Sequence, residues 1–256
     1  FLNKPARYTE LSLDNAVRKG KDYELLTLLY NVLPTLETQE DAFSALTDAI
    51  YYLLSIAEVN EEIYNVEQTS KITPNTAESF IEDLLVKSFG GESLVLAIGT
   101  LITLLCESSS NNYVVNTHIV NQSGASSKEI SDIDVYRDNK ILYTIEAKDK
   151  TFSPEDVEHA FTKVAKAGIN RMMFITGPRA TLTSGSYDDL IEQASSLGVY
   201  LTFSSYSAFT KYILSLVDFS TLDNFFEIMM DIHRNARLKD ESRDYLLELA
   251  HEYDII

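Results

Sequence analysis

Residues 131–148 read Ser131-Asp132-Ile133-Asp134-Val135-Tyr136-Arg137-Asp138-Asn139-Lys140-Ile141-Leu142-Tyr143-Thr144-Ile145-Glu146-Ala147-Lys148. Two runs of β-branched and aromatic residues flank a polar Asp138-Asn139 pair, the pattern of two strands joined by a tight turn. Strand alternation puts Glu146 and Lys148 on one face of the second strand, with Ile145 and Ala147 on the other. Asp132 and Asp134 share a face of the first. Charged groups that converge on one hairpin are costly to bury without a partner. Carboxylates beside an ammonium group are also the minimal set for a magnesium ion and an activated water. Register decides whether they meet. A three-residue loop, Asp138-Asn139-Lys140, pairs Arg137 with Ile141, Asp132 with Glu146 and Asp134 with Thr144. A simple two-residue turn throws the aspartates and Glu146 to opposite faces. A working site on this hairpin therefore requires a three-residue loop or a bulge.

The elements around the hairpin set the fold class. Helical spacing marks residues 15–33, 39–56 and a short third helix at 59–67. A polar linker, 68–75, precedes a helix at 76–89 that Gly90-Gly91 ends. An apolar helix follows at 92–107, and Tyr113 to Val120 alternates as a first strand. After the hairpin, Ser153 is an N-cap with Pro154 at the first helical position, and this helix runs to Gly168. Arg171 to Thr176 and Val199 to Phe203 are short continuous apolar runs, the mark of buried strands. A helix at 187–197 separates them, and helices at 205–217, 222–234 and 239–251 close the chain. The order predicts an α/β (α+β) protein with a mixed β-sheet flanked by helices, a helical layer before it and helices after it. The expected division is 1–70, 71–217 and 218–256. No glycine-rich dinucleotide fingerprint follows a strand, and Gly177-Pro178-Arg179 is not a phosphate loop.

Composition narrows the function. The chain has 256 residues, 45% of them apolar, enough for a real core. The apolar run Leu94 to Cys106 is one core helix long and interrupted by Gly99, so no membrane span is expected. The one cysteine, Cys106, cannot form an internal disulfide, which favours a reducing, cytoplasmic setting and an inert buried thiol. No Cys/His cluster suggests zinc, and no signal-peptide pattern is present. The chain begins at Phe1 rather than Met, which points to a missing N-terminal portion. A net charge of −18 argues at first sight against nucleic acid. Its distribution changes that. Residues 31–110 carry two basic against thirteen acidic residues, and 181–256 five against thirteen, but 111–180 carry nine of each. The hairpin segment is neutral even though its acids include the candidate metal ligands, so one bound divalent ion leaves it net positive. Such a cleft can hold a phosphodiester, with weaker salt dependence than a uniformly basic binder has.

On this reading Asp132 or Asp134, with Glu146, binds Mg²⁺, and Lys148 sits beside the bound water to orient it and stabilise charge on a scissile phosphate. Lys128, in the polar loop before the hairpin, and Arg179 are candidates for DNA backbone contacts. The plainer alternative is an exposed hairpin with a surface charge ladder. His159 and Lys163 read as a solvated helix face, Glu78 and Glu82 as surface, and His118 as structural. From Thr76 to Phe203 the chain resembles the PD-(D/E)xK nuclease superfamily, with Ser131 in place of the proline before Asp132. The opening Phe1-Leu2-Asn3-Lys4-Pro5-Ala6-Arg7, Ser131-Asp132-Ile133, Glu146-Ala147-Lys148-Asp149-Lys150, Asp156-Val157-Glu158-His159-Ala160 and Gly177-Pro178-Arg179-Ala180 together resemble the SacI-type restriction endonuclease family. The resemblance implies a type II enzyme that cuts double-stranded DNA with Mg²⁺ as a homodimer. The residues alone reach only a metal-dependent phosphodiesterase. The rivals are a non-catalytic nucleic-acid- or protein-binding domain on the same fold, and a helical protein whose acidic surface binds a basic partner.

Overall fold

A computed structural model describes residues 10–15, 20–64, 66–109, 112–118 and 130–256. The chain divides into two compact units, Phe1–Ile63 and Tyr64–Ile256. In the first, a 3-10 turn (Leu13–Asn15) precedes helix α1 (Lys21–Val32) and the long helix α2 (Gln39–Tyr64), whose last residue belongs to the second unit. Thr38 and Asp41 cap α2 reciprocally, Thr38 Oγ1 accepting from Asp41 N at 3.1 Å and Asp41 Oδ2 from Thr38 N at 3.0 Å. The separate helix expected at 59–67 does not exist. With no glycine or proline between Ser55 and Tyr64, α2 continues through its start.

The second unit carries α3 (Pro74–Leu84), α4 (Glu92–Glu107), strands β1 (Tyr113–Thr117), β2 (Ile133–Arg137) and β3 (Lys140–Lys148), α5 (Pro154–Lys166), β4 (Arg171–Thr176), α6 (Tyr187–Ser196), β5 (Tyr200–Ser205), α7 (Tyr206–Leu214), a 3-10 turn (Phe219–Asn224), α8 (Phe225–Asn235) and α9 (Asp240–Glu252). Helix α3 starts earlier than the spacing suggested, because Thr73 caps it and Pro74 suits its first turn. It also stops earlier, at Leu84 rather than Phe89. The seven residues 85–91 form a turn that ends with Phe89, Gly90 and Gly91 at φ of 47°, 79° and 104°. This left-handed run suits glycine at two of its three positions. Helix α5 opens on a complete capping box, Ser153 with Asp156.

The strands lie in the order β1-β2-β3-β4-β5. The first three are antiparallel neighbours and the last three parallel, with α5 and α6 as the crossovers. One face of this mixed sheet (Ile133, Val135, Ile145, Ile175) packs into a core shared with α3, α4, α7, α8 and α9. The other (Met172, Phe174, Leu201) packs on α5 and α6. The C-terminal helices are part of the first core, to which α8 gives the fully buried Phe225, Phe226 and Met229. Cys106 is half-buried, and burial pushes its thiol up to about 11. Among the described residues, no helix is long and apolar enough to cross a membrane.

Candidate active site

The hairpin turn has two residues, not three. Asp138 and Asn139 both adopt positive φ (52° and 61°), and Arg137 pairs with Lys140. This is the mirror-image turn that matches the twist of paired strands. Alone it would set Asp132 against Ile145. A bulge corrects it. Tyr136 pairs with Ile141, but Val135 pairs with Tyr143, so Leu142 is the extra residue and Asp134 meets Thr144. Side-chain burial records the flip: Tyr143, Ile145 and Ala147 pack on the α4 side, whereas Ile141 packs with the α5 core. Carried one pair further, the register brings Asp132 level with Glu146. There Asp132 Oδ2 accepts a hydrogen bond from Ala147 N at 2.9 Å.

Asp132, Glu146 and Lys148 line one open cleft of about 390 Å³ at the C-terminal end of β3. Ala147, Asp149 and Lys150 continue its wall, and Ser88, Gly90 and Gly91 of the turn after α3 close it. Lys148 Nζ lies 3.8 Å from Glu146 Oε1. Burial, followed by the neighbouring Asp132 carboxylate, pushes the Glu146 carboxyl up to about 8, against the pull of Lys148 and Lys163. Asp132 is raised as well, chiefly by burial, which the Ala147 amide and the Lys148 charge oppose. Two adjacent carboxylates that resist ionising together have the donor chemistry that suits a hard cation. Among the described residues no group of three or more His, Cys, Asp or Glu is placed to hold one. Two carboxylates fit Mg²⁺, which keeps several waters and takes few protein oxygens.

Asp134 lies one row further in and does not reach the cleft. It is fully buried, and its oxygens accept from Ile130 N at 3.1 Å and Ser131 N at 3.3 Å, with His118 Nε2 at 2.8 Å. His118 N donates to Asp132 O at 2.8 Å, so the Asp134–His118 pair braces the segment that presents Asp132. Arg179 is exposed, with 39% of its side chain open to solvent, but its guanidinium is engaged within the chain. Its guanidinium spans the Asp149 carboxylate and the carbonyls of Leu85 and Val86. Lys128 lies outside the described residues. Lys163, read from the sequence as solvent-facing, is half-buried on α5, and its charge acts on both cleft carboxyls. Glu78 pairs with Lys211 at 3.5 Å, away from the cleft. The place of Asp149, Ser88 and the Gly90-Gly91 pair at the cleft escaped the sequence reading, which took the glycines only as a helix stop. Asp149 stood in plain view beside Lys148, but nothing local marks its partners.

Two family models match the chain. The SacI restriction endonuclease N-terminal domain matches residues 1–57, and the SacI restriction endonuclease C-terminal domain matches residues 69–178. The second match covers the whole hairpin and every residue that lines the cleft. No curated protein matches the chain.

Proposed function

The chain belongs to the SacI restriction endonuclease family, and from that premise we propose that it is a Mg²⁺-dependent type II restriction endonuclease of the PD-(D/E)xK kind. It would hydrolyse phosphodiester bonds of double-stranded DNA at a specific site. The observation that carries this reading is the convergence of Asp132, Glu146 and Lys148 on one cleft.

Asp132 and Glu146 would hold the ion. Asp134 is left to brace them, since its oxygens already serve His118 and two backbone amides. Mg²⁺, when bound, supplies Lewis-acid stabilisation and a more acidic water. Lys148 orients the attacking water, and its ammonium group stabilises charge as it builds on the phosphate. It also offsets the carboxylates before DNA arrives. Lys150, on the cleft rim, and Lys163, on α5, add positive charge for a polyanion.

A homodimer reading a two-fold DNA site goes with this function, as does a cytoplasmic location; sedimentation with and without a DNA duplex measures the assembly. The decisive experiment incubates plasmid DNA with the protein and Mg²⁺ and maps the ends produced. Discrete ends in Mg²⁺ are expected. Lys148→Ala should lower cleavage by about a thousandfold or more, with DNA affinity in Ca²⁺ kept within a few-fold. Retained cleavage in Lys148→Ala would sink the assignment. Binding in Ca²⁺ with no cutting by the native chain in Mg²⁺ would mark a non-catalytic binding domain on this fold.

A further inference from the structure

Asp149 is the residue after Lys148, and its side chain is wholly buried. A buried carboxylate beside a cation-binding cleft is expensive unless it is spent elsewhere. Asp149 is spent fully. Its Oδ1 accepts from Arg179 N at 3.1 Å. Its Oδ2 accepts from Arg179 Nε at 2.9 Å, Arg179 Nη2 at 2.6 Å and Ser88 Oγ at 2.9 Å. The same guanidinium donates from Nη2 to Leu85 O at 2.8 Å and from Nη1 to Val86 O at 3.2 Å. Arg179 and Asp149 together therefore join three segments: the end of β3, the loop after β4, and the turn 85–91 that closes the cleft. Gly177 shows that the loop is shaped for this. Its N–H donates to Lys148 O at 2.8 Å, and a Cβ there would lie 2.4 Å from Asp149 Oδ1.

We propose that Asp149 and Arg179 form a positioning clamp for the cleft rather than a DNA contact. The assignment rests on the nuclease reading above. The clamp acts in two ways. It fixes the backbone on both sides of Lys148 and holds Ser88, Gly90 and Gly91 in place as the opposite wall. It also consumes the Asp149 charge, so that the cleft presents two free carboxylates and not three. A free third carboxylate would compete for the cation and draw the Lys148 and Lys150 ammonium groups out of line. Lysine cannot replace Arg179, because one ammonium nitrogen cannot reach together the acceptors that Nε, Nη1 and Nη2 serve from separate positions.

The test uses the full chain with Asp149→Asn, Arg179→Lys and their double variant. It measures steady-state cleavage in Mg²⁺, DNA binding in Ca²⁺ across a salt series, and amide hydrogen exchange over 85–91. Each single variant should lower kcat by about 10- to 100-fold, the scale for residues that orient a site through others. KM and the salt slope of binding should stay at native values. The double variant should be no worse than either single one, and exchange over 85–91 should quicken in all three. If Asp149→Asn fails to fold, Arg179→Lys carries the same comparison alone. Native kcat in Arg179→Lys would overturn the clamp. So would weaker DNA binding with a salt slope reduced by about one contact in a charge-removing Arg179→Gln variant, which would make Arg179 a phosphate ligand. Failure of the native protein to cut DNA at all would sink the nuclease reading instead. The exchange data then decide the clamp by themselves: faster exchange supports it and unchanged exchange refutes it.

Discussion

Glu146 concentrates the electrostatic conflict of the site. With no metal bound, burial and Asp132 hold its carboxyl at about 8, above the ordinary 4.5. A folded value above the unfolded one means that its stabilising contribution is complete at acid pH and is lost as pH climbs through about 8. Thermal unfolding in a chelating buffer should therefore show the native protein weakening from about pH 5 to about pH 9. Glu146→Gln, neutral throughout, should lack that loss and be the more stable protein at the alkaline end, while losing metal-supported cleavage. Gly177→Ala tests a different contact. Its Cβ would meet Asp149 Oδ1 at 2.4 Å, and that carboxylate is pinned by four hydrogen bonds, three from Arg179 and one from Ser88. A cost of about 1–3 kcal/mol is expected for forced overpacking, read as a lower denaturation midpoint. Glu146 and Lys148 were legible in the sequence because their chemistry and spacing are both local. Arg179 was visible as a cation, but its partners lie 30 and 94 positions away. Without those contacts in view it read only as a candidate contact for the DNA backbone.

Among the elements, the strands and the helices around them were legible where punctuation was strong. Ser153-Pro154 announced α5, and continuous apolar runs announced β4 and β5. The ends of α2 and α3 were not legible, for opposite reasons. Nothing breaks α2 after Ile56, and α3 ends where the Leu85 and Val86 carbonyls turn outward to Arg179, which is a tertiary cause. The hairpin mixes both cases. A turn was evident at Asp138-Asn139, but periodicity does not reveal which residue bulges. The consequence is testable: the turn itself is dispensable to the site. Asn139 holds φ of 61°, so Asn139→Gly should stabilise the protein by about 0.5–1 kcal/mol. Cleavage should be unchanged, since Leu142, and not the turn, sets the pairing of Asp134 with Thr144. A calorimetric midpoint together with a cleavage assay checks both halves.

For the molecule as a whole, the acidic total and the proposed substrate are compatible only through local bookkeeping of charge. The net charge is −18, yet residues 111–180 hold nine basic and nine acidic residues. Most phosphate affinity should then come from the few lysines at the cleft: Lys148, Lys150 and Lys163. With about 0.9 of a slope unit per phosphate neutralised, binding in Ca²⁺ should show a log–log salt slope of about −3 per protomer, measured by fluorescence anisotropy. A slope several times steeper would require phosphate contacts beyond these three lysines. At this scale the sequence reading gave the layered architecture correctly. It did not show how fully the C-terminal helices enter the sheet's own core, because amphipathic spacing marks an apolar face without saying what the face covers.

The bulge at Leu142 also makes the site sensitive to parity. Pairing across the hairpin repeats every two residues, so lengthening the tip by two leaves Asp132 and Glu146 on a common face. One residue added within a strand sends Glu146 and Lys148 through the sheet toward the α4 side, unless the turn widens to three residues or a second bulge returns them. Family members should therefore differ in strand length by even steps, or offset an odd change with a wider turn or a second bulge.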